Sequence, residues 1–362
     1  MNFPRNLYKQ EAIRLKRSAP FITSTLNYID NLISCNLPVI FSRQHLAILT
    51  GMSRYDMDKI LENREYYYKY YLIKKKRGGF RRIIAPYKQL KELQRWIKEN
   101  IIDQVDINQF ATGFVKDKSI YHNAKIHEDA NVILNIDLKN FFESITEKRV
   151  YGLFKSLGYA HNLAVDLAKI CTSPICDEKL DELDESALPY FQDIQMQFES
   201  ILIQGSPSSP AISNLICRRL DRRLSKLANS TGANYSRYAD DITFSGSEDN
   251  IPKVSLIKRI IEGEGFSINW EKVKRHKKGQ RQIVTGLLVD NEIRVPKKYK
   301  KDICRHLHFC EKWGSRSHFE KINPGKGYGK QWLLGRIMYV NSIEPTEAKK
   351  MMALVKQIDW DR

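Results

Sequence analysis

The chain lacks the long apolar segments of a membrane protein. No run of eighteen apolar residues occurs, and residues 1–6 contain no apolar signal core. We therefore expect no transmembrane helix and a cytoplasmic protein.

Cysteine is scarce and scattered. The six cysteines lie at positions 35, 171, 176, 217, 304 and 310, which is not the dense framework of a disulfide-bonded protein. Cys304, His306, His308 and Cys310 are close in sequence, but their stretch is helix-like, and at this spacing they cannot all face one point. We therefore do not interpret them as a zinc site.

Acidic residues are in short supply. Asp and Glu number 42 against 60 Lys and Arg, which gives a net charge of +18. Such an excess predicts a polyanionic partner, most simply nucleic acid. A membrane surface is the alternative, but the sequence shows neither a clear amphipathic basic helix nor a lipidation signal.

One segment departs from this basic character. Residues 176–200 carry eight acidic residues and a single lysine, Lys179. We expect an exposed loop or helix that does not touch nucleic acid, with protein binding as the second interpretation.

Two adjacent aspartates form the central feature of the sequence. Residues 235–245 predict a strand, a tight turn that holds Asp240 and Asp241, and a returning strand. Neighbouring carboxylates repel each other unless a cation lies between them. Because Mg²⁺ prefers oxygen ligands, this turn predicts half of a metal site.

Asp137 is the candidate for the other half. It lies near the end of the apolar, β-branched run 132–138, which predicts a buried strand. A charge there is costly unless it is paired or binds metal. Asp137 is either a helix cap or, together with the Asp-Asp turn, part of a two-metal site for phosphoryl transfer.

The other segments are interpreted from their patterns. Residues 1–65 predict helices, residues 66–86 a basic β-hairpin with a Gly-Gly turn, and residues 87–105 an amphipathic helix. The hairpin cations are either solvated or contact phosphates. The Gly-, Ser- and Pro-rich loop 204–210 precedes a helix over 211–227, which favours anions.

Taken in order, the motifs over roughly residues 66–345 resemble those of reverse transcriptases. Residues 238–241 (YADD) resemble the YxDD box, residues 204–210 the QGxPxSP loop, and Asp137 with the following Phe-Phe pair the first catalytic strand. Residues 265–274 resemble the motif after the catalytic hairpin, and residues 334–340 the thumb signature.

Two short motifs narrow the resemblance to bacterial retron reverse transcriptases. Residues 123–127 fit NAxxH and residues 284–286 fit VTG. Asn123 and His127 lie four residues apart, a spacing that by itself more often indicates a structural hydrogen-bond pair. The departures from the family are the acidic insertion at 176–200 and Ser206 in a place often held by Ala.

The resemblance implies an α+β right-hand polymerase fold with an antiparallel palm sheet and a helical thumb. Its parts would be an N-terminal helical region (1–65), fingers (66–136), palm (137–290) and thumb (291–362). It also implies copying of a cognate structured non-coding RNA into DNA from dNTPs. Synthesis would start at an RNA 2′-hydroxyl and give branched RNA–DNA (msDNA), in anti-phage defence beside a separate effector or toxin.

The resemblance also implies roles for single residues. Two Mg²⁺ ions would be held by Asp137 and Asp240, with the Leu138 carbonyl completing a shell and Asp241 either binding metal or orienting its neighbour. Phe141 is interpreted as a core aromatic. The nucleotide-binding residues would be Phe142 as steric gate, Gln204, Lys74 and Arg81 (or Lys75 and Arg82), and Lys272 (or Lys274) as the acid for pyrophosphate. The RNA-binding residues would be Asn123, His127, Val284, Thr285, Gly286, Lys297, Lys298, Lys300 and Lys301.

Three other functions are weighed. A group II intron or diversity-generating reverse transcriptase would be expected to carry an appended domain or other signature motifs. A non-catalytic RNA-binding scaffold would not need the three aspartates. A basic nuclease would not explain the order of the motifs.

Overall fold

The computed structural model describes residues 3–74, 80–183, 187–197, 199–322 and 329–360. Its α-helices, in chain order, are α1 (Arg5–Arg14), α2 (Ala19–Ser34), α3 (Arg43–Thr50), α4 (Arg54–Glu62), α5 (Lys88–Asn100), α6 (Ile120–Lys125), α7 (Glu147–Ser156), α8 (His161–Cys171), α9 (Asp177–Asp181), α10 (Leu188–Gln197), α11 (Ser209–Ile216), α12 (Arg218–Thr231), α13 (Val254–Gly263), α14 (Lys297–Trp313), α15 (Ser315–Ile322), α16 (Gly329–Asn341) and α17 (Pro345–Gln357).

The strands are short, and every pairing within the described residues is antiparallel, as predicted. They are β1 (Tyr68–Lys74), β2 (Phe80–Pro86), β3 (Val132–Lys139), β4 (Thr172–Ser173), β5 (Ile201–Leu202), β6 (Asn234–Tyr238), β7 (Asp241–Gly246), β8 (Ser267–Ile268), β9 (Lys274–Lys277), β10 (Ile283–Val284) and β11 (Leu287–Leu288).

The chain divides into two compact units, each made of three segments. The first unit comprises Met1–Phe114, Leu138–Arg223 and Ser255–Ile268, and the second comprises Val115–Asp137, Leu224–Val254 and Asn269–Arg362. The four-part division into an N-terminal region, fingers, palm and thumb stays a prediction.

The N-terminal residues are helical, and local signals set their helix ends. The Ser42 and Ser53 side chains accept hydrogen bonds from the backbone N–H groups of His45 and Asp56, as N-cap residues do. Gly51 follows α3 with a left-handed φ of 66°, the conformation that a glycine C-cap supplies at little cost. The helical character of the described part of residues 1–65 agrees with the sequence prediction.

The basic hairpin of the first unit is packed against the acidic segment. Strands β1 and β2 pair from Tyr68 with Pro86 to Lys74 with Phe80. Phe191 of α10 meets Tyr70 edge-on at 5.5 Å between ring centroids, and Tyr190 meets Phe80 at 5.3 Å. The described part of residues 176–200 therefore forms two helices, one of which buries aromatic surface on the hairpin.

In the second unit the sheet order is β6-β7-β3-β9. Val132, Ile133, Leu134 and Ile136 of β3 are buried, which confirms the predicted buried strand. The last two residues of β3, Leu138 and Lys139, belong to the first unit, where they pair with β8.

An apolar cluster in this unit, which includes Ile133 of β3, packs β10 and β11 with the C-terminal helices. Val284 and Leu287 lie in it with residues such as Ile303, Ile337 and Met351.

All six cysteines are free thiols. In the part of the chain that the structure describes, no helix has the length and apolar character needed to cross a membrane.

Candidate active site

The two adjacent carboxylates lie at the tip of a β-hairpin, as the sequence predicts. Tyr238 pairs with Asp241, so that Ala239 and Asp240 alone form the loop. Ala239 has a left-handed φ of 56°, a conformation that costs an L-residue roughly 1–2 kcal/mol. The turn therefore places Asp240 in the loop and Asp241 at the start of β7.

A buried arginine supports this turn. Arg237 is fully buried, and its Nη1 donates a hydrogen bond of 3.0 Å to the carbonyl oxygen of Ala239. Charged groups at such depth are rare unless they are paired. This role was not predicted from the sequence, although an arginine in the strand directly before the Asp-Asp turn was a visible signal.

Strand register brings the third carboxylate to the same place. β3 pairs with β7 so that Asp137 lies directly opposite Asp241. Directly opposite residues have Cβ atoms about 4.5–5.5 Å apart. Asp137 is 8% exposed. The three aspartates that the sequence singled out are therefore neighbours within the second unit.

The crowding of carboxylates shows in the acidity of Asp241. Desolvation by surrounding protein raises its pKa to about 7, and repulsion by Asp240 and Asp137 adds to this. Asp241 nonetheless exposes part of its surface to solvent. Its environment therefore disfavours a bare negative charge while leaving the group open to a cation.

Lys272 supplies a positive charge to the site. Its Nζ lies 2.8 and 2.9 Å from the two carboxylate oxygens of Asp137. Asn269 adds a side-chain bond of 3.2 Å to Asp137, and its backbone N–H donates to the Asp137 carbonyl oxygen at 2.8 Å. Lys274, the alternative acid, begins β9 opposite Asn135. Lys272 therefore contacts Asp137, and the assignment of either lysine as the acid stays a prediction.

The carboxylates fit a hard divalent cation. Within the described residues no set of three or more His, Cys, Asp or Glu is arranged as a complete metal site. Mg²⁺ does not require one, because it binds through one or two carboxylates together with water and substrate phosphates. Repelling carboxylates, one of them paired with the exposed Lys272, are the donor set that such an ion needs.

The NAxxH and VTG motifs are structurally joined. Thr285 and Gly286 form the two-residue turn between β10 and β11, both with positive φ (46° and 85°), as a type I′ turn requires. The Thr285 hydroxyl donates to the carbonyl oxygen of Ile120 in α6 at 3.2 Å. The VTG turn therefore holds the helix that carries NAxxH.

These motif residues are mostly inaccessible. Asn123 is 1% exposed, and His127 and Val284 are 0% exposed. For these three the predicted direct contact with RNA conflicts with the burial of their side chains. Thr285 is half-buried and Gly286 is exposed, so the turn itself is open to a partner.

The basic residues of α14 divide in the same way. Lys297, Lys298 and Lys301 are exposed. Lys300 instead forms an ion pair with Glu344 at 2.5 Å, and its side chain is 18% exposed. Lys300 is thus engaged in an internal ion pair. Lys297, Lys298 and Lys301 are accessible to phosphate groups of a partner.

In the first unit, the predicted hairpin cations also differ in their surroundings. Lys74 and Arg81 are exposed, and Lys75 lies outside the described residues. Arg82 donates to the Tyr190 carbonyl oxygen at 2.7 Å and lies 3.3 Å from the Glu143 carboxylate. Arg82 therefore braces the hairpin, which leaves Lys74 and Arg81 as candidates for phosphate contacts.

The loop that begins at Gln204 is docked on this hairpin. The Gln204 carbonyl oxygen accepts a hydrogen bond of 3.0 Å from the N–H of Ile84. Gly205 has φ of 127°, and a Cβ there would lie 2.6 Å from the Ile84 carbonyl oxygen. The Ser206 hydroxyl donates a hydrogen bond of 2.7 Å to the Gln94 side chain. This bond connects the loop to α5.

The two phenylalanines after β3 have different environments. Phe141 is 3% exposed and stacks on Phe266 at 5.6 Å between ring centroids, which confirms it as a core aromatic. Phe142 is half-buried and stays the predicted steric gate.

The chain is distantly similar to solved polymerase structures. The Sicinivirus 3Dpol RNA-dependent RNA polymerase has a TM-score of 0.46 and 13% identity, covering 83% of this chain and 64% of that chain. Telomerase from Candida albicans has a TM-score of 0.43 and 12% identity, covering 83% and 61%. At these TM-scores the similarity supports no conclusion about this chain.

Comparison by sequence is decisive. The family model described as reverse transcriptase (RNA-dependent DNA polymerase) matches residues 73–301. The retron Ec86 reverse transcriptase of Escherichia coli is 31% identical over 330 residues, covering 89% of this chain and 91% of that protein. The retron Mx162 reverse transcriptase of Myxococcus xanthus is 31% identical over 314 residues, covering 81% of this chain and 61% of that protein. The carboxylates of the β-hairpin are thus found in a chain that belongs to the reverse transcriptases, the RNA-directed DNA polymerases, and among them to the retron enzymes.

Proposed function

We propose that the chain copies part of a cognate structured non-coding RNA into DNA, with the chemistry at Asp137, Asp240 and Asp241. One observation carries the proposal. The register of β3 and β7 places Asp137 opposite Asp241, next to the turn that holds Asp240. Three clustered carboxylates serve phosphoryl transfer through bound cations better than they serve folding.

Asp137 and Asp240 would hold two Mg²⁺ ions, with the Leu138 carbonyl as a further ligand. Bound there, the ions would activate the attacking hydroxyl and neutralise the triphosphate and the departing pyrophosphate. Asp241, whose pKa is raised to about 7 by desolvation and by repulsion from its neighbours, would bind or orient at the same place.

Lys272 would act on the leaving group. Its ammonium holds the Asp137 carboxylate in this structure. Once away from the Asp137 carboxylate, the Lys272 ammonium would donate a proton to pyrophosphate.

The motif resemblance also assigns nucleotide-binding roles to residues of the first unit. Lys74 and Arg81 are exposed on the hairpin and would bind triphosphate oxygens. Gln204 would contact the nucleotide, and Phe142 would exclude a ribose 2′-hydroxyl. The roles of Lys74 and Arg81 rest on the motif resemblance together with side-chain exposure. Those of Gln204 and Phe142 rest on the motif resemblance.

The RNA would be recognised by charge and by the VTG turn. Lys297, Lys298 and Lys301 are exposed and would bind phosphates, with a strong salt dependence. Priming from an RNA 2′-hydroxyl, an msDNA product, anti-phage defence and a separate effector or toxin belong to this proposal as features of the retron family. A cytoplasmic location stays a prediction.

The test is DNA synthesis by purified protein on co-expressed RNA with Mg²⁺ and dNTPs. Asp240→Asn removes one carboxylate at nearly constant shape, and Asp249→Asn makes the same change at an exposed aspartate as the matched control. We expect synthesis by the wild type and by Asp249→Asn, none by Asp240→Asn, and a small RNase-resistant RNA branch on the DNA.

Other results would change the assignment. Primer extension without a branch would place the activity with other bacterial reverse transcriptases, such as the intron type. Salt-sensitive RNA binding with no synthesis by the wild type would identify a scaffold and overturn the proposal.

A further inference from the structure

The imidazole of His127 bridges the two strands of the hairpin that carries Asp240 and Asp241. Its Nδ1 lies 2.7 Å from Ser245 Oγ in β7, and its Nε2 lies 2.7 Å from Ser236 Oγ in β6. All three residues are 0% exposed. No RNA can reach this ring in the folded protein, so its role must be internal.

Both imidazole nitrogens in the bridge have a hydrogen-bond partner. A neutral imidazole has one N–H donor and one acceptor nitrogen, and each serine hydroxyl can donate or accept. Burial lowers the pKa of His127 to about 3, which keeps the ring neutral at working pH. Both ring nitrogens are therefore used, one on each strand.

Strand register shows what this bridge holds. Ser236 lies opposite Thr243, and Ser245 lies opposite Asn234, so the two serines are diagonal neighbours on one face of the hairpin. Diagonal neighbours are about 7–8 Å apart, too far for a direct hydroxyl contact. The imidazole spans this distance.

The same face leads to the catalytic carboxylates. Because side chains alternate between faces, Asp241, Thr243 and Ser245 share one face of β7. Across the β3 pairing, Asn135 donates to the Thr243 hydroxyl at 3.2 Å, and Asp137 lies opposite Asp241. A row of polar groups thus runs from the aspartates to His127.

His127 itself is firmly placed. Its backbone N–H donates to the Ala124 carbonyl oxygen at 2.9 Å, and Ala124 packs in one buried cluster with Val284 and Leu287 of the VTG hairpin. The two motifs that distinguish retron enzymes therefore converge behind the catalytic turn.

We propose that His127 is a positioning residue for DNA synthesis, which fixes the two strands of the catalytic hairpin through Ser236 and Ser245. The proposal rests on the proposed function, since it assigns the bridge to the polymerase site. Loss of the bridge lets the turn shift, and a displacement of about 1 Å at reacting groups can cost about 100-fold in rate.

The test compares His127→Phe, which keeps a ring but loses both hydrogen bonds, with His127→Gln, whose amide has a donor NH₂ group and an acceptor oxygen. The double variant Ser236→Ala/Ser245→Ala removes the partners. His161→Phe makes the same exchange at an exposed histidine. Single-nucleotide addition is measured on a primed RNA template, together with RNA affinity, dNTP affinity and melting temperature.

We expect His127→Phe to slow nucleotide addition by roughly 10- to 100-fold with RNA and dNTP affinities unchanged. His127→Gln should recover most of the rate, and His161→Phe should keep it. Adding His127→Phe to the serine double variant should cost little more, because residues in one network are not additive.

Two results would overturn the proposal. A lower melting temperature with an unchanged rate, measured well below melting, would make the bridge merely structural. Weaker RNA binding with an unchanged rate would return His127 to RNA recognition.

A readout that needs no activity separates this proposal from the proposed function. Hydrogen exchange of the β6–β7 amides should accelerate in His127→Phe and not in His127→Gln, with β1–β2 unchanged in both. Unchanged exchange in β6–β7 would refute the bridge even if the chain were a scaffold.

Discussion

Acid should destabilise the folded protein through His127. Burial lowers the pKa of this histidine to about 3, whereas an unfolded histidine titrates near 6.5. Between these values the unfolded chain takes up a proton that the folded chain refuses. Stability must therefore fall as the pH decreases below about 6.5 and reach its full loss near pH 3.

The size of the effect follows from the same two pKa values. At pH 7 the unfolded histidine is mostly neutral, and the contribution is close to zero. At pH 5 it is almost fully protonated, which costs the folded state about 2 kcal/mol. Over the whole interval the cost approaches about 5 kcal/mol.

The measurement is the denaturant midpoint of wild type and His127→Gln at pH 7 and pH 5. The glutamine keeps a donor and an acceptor but does not titrate. Other groups titrate in both proteins, so the wild type should lose about 2 kcal/mol more than the variant. Equal losses would refute the reasoning.

A direct check uses the ring signals of labelled histidine. At pH 5 the ring signals of His127 in the folded wild type should be those of a neutral imidazole. A charged His127 in an intact fold would contradict the assigned burial.

Three further predictions follow from single contacts. Lys272→Met removes the ammonium that lies 2.8 Å from Asp137, so Mn²⁺, measured by calorimetry on the free enzyme, should bind roughly tenfold more tightly, or about 1.4 kcal/mol. Gly205→Ala places a Cβ 2.6 Å from a backbone carbonyl oxygen at φ of 127°, and should lower the unfolding free energy by about 3 kcal/mol. Arg82→Ala leaves a carboxylate and a carbonyl without their donor, and should cost about 2 kcal/mol in the same denaturation assay.

Each of these has a contrary outcome. Unchanged or weaker Mn²⁺ binding would mean that Lys272 does not compete with the cation. Gly335→Ala, in the interior of α16 with no atom within 4 Å of the new Cβ, is the control for Gly205 and should stabilise by about 1 kcal/mol. A neutral Gly205→Ala would show that the loop is not docked on β2. For Arg82, a loss no larger than that of the exposed Arg81→Ala would contradict its bracing role.

Local pattern was enough to predict the strands that carry the three aspartates, whereas the fold class was implied by the resemblance of the ordered motifs to a known family. Alternating residues around Asp240 and Asp241 predict a hairpin because strand periodicity and a two-residue turn are local properties. The apolar run before Asp137 predicts a buried strand for the same reason. The family match confirms the predicted right-hand polymerase fold and the reverse transcriptase activity.

What the sequence could not indicate are contacts between segments distant along the chain. His127 and Ser236 are 109 residues apart, and no periodicity connects them. Lys300 cannot be told from its basic neighbours by sequence, but in the fold it forms an ion pair with Glu344. Arg82 likewise looks equivalent to Arg81 in sequence, but only the fold shows that it donates to the Tyr190 carbonyl oxygen.

The sequence by itself determined which groups can do the chemistry: three aspartates, an excess of cations, and motifs in a recognisable order. The tertiary structure decided which of those groups are accessible to a substrate and which are buried or paired within the protein. It buried His127 and Asn123 behind the hairpin, placed Lys272 on Asp137, and used Arg82 and Lys300 as internal braces. The physical reason is that a side chain's type is local, whereas its burial and its partners depend on how the whole chain packs.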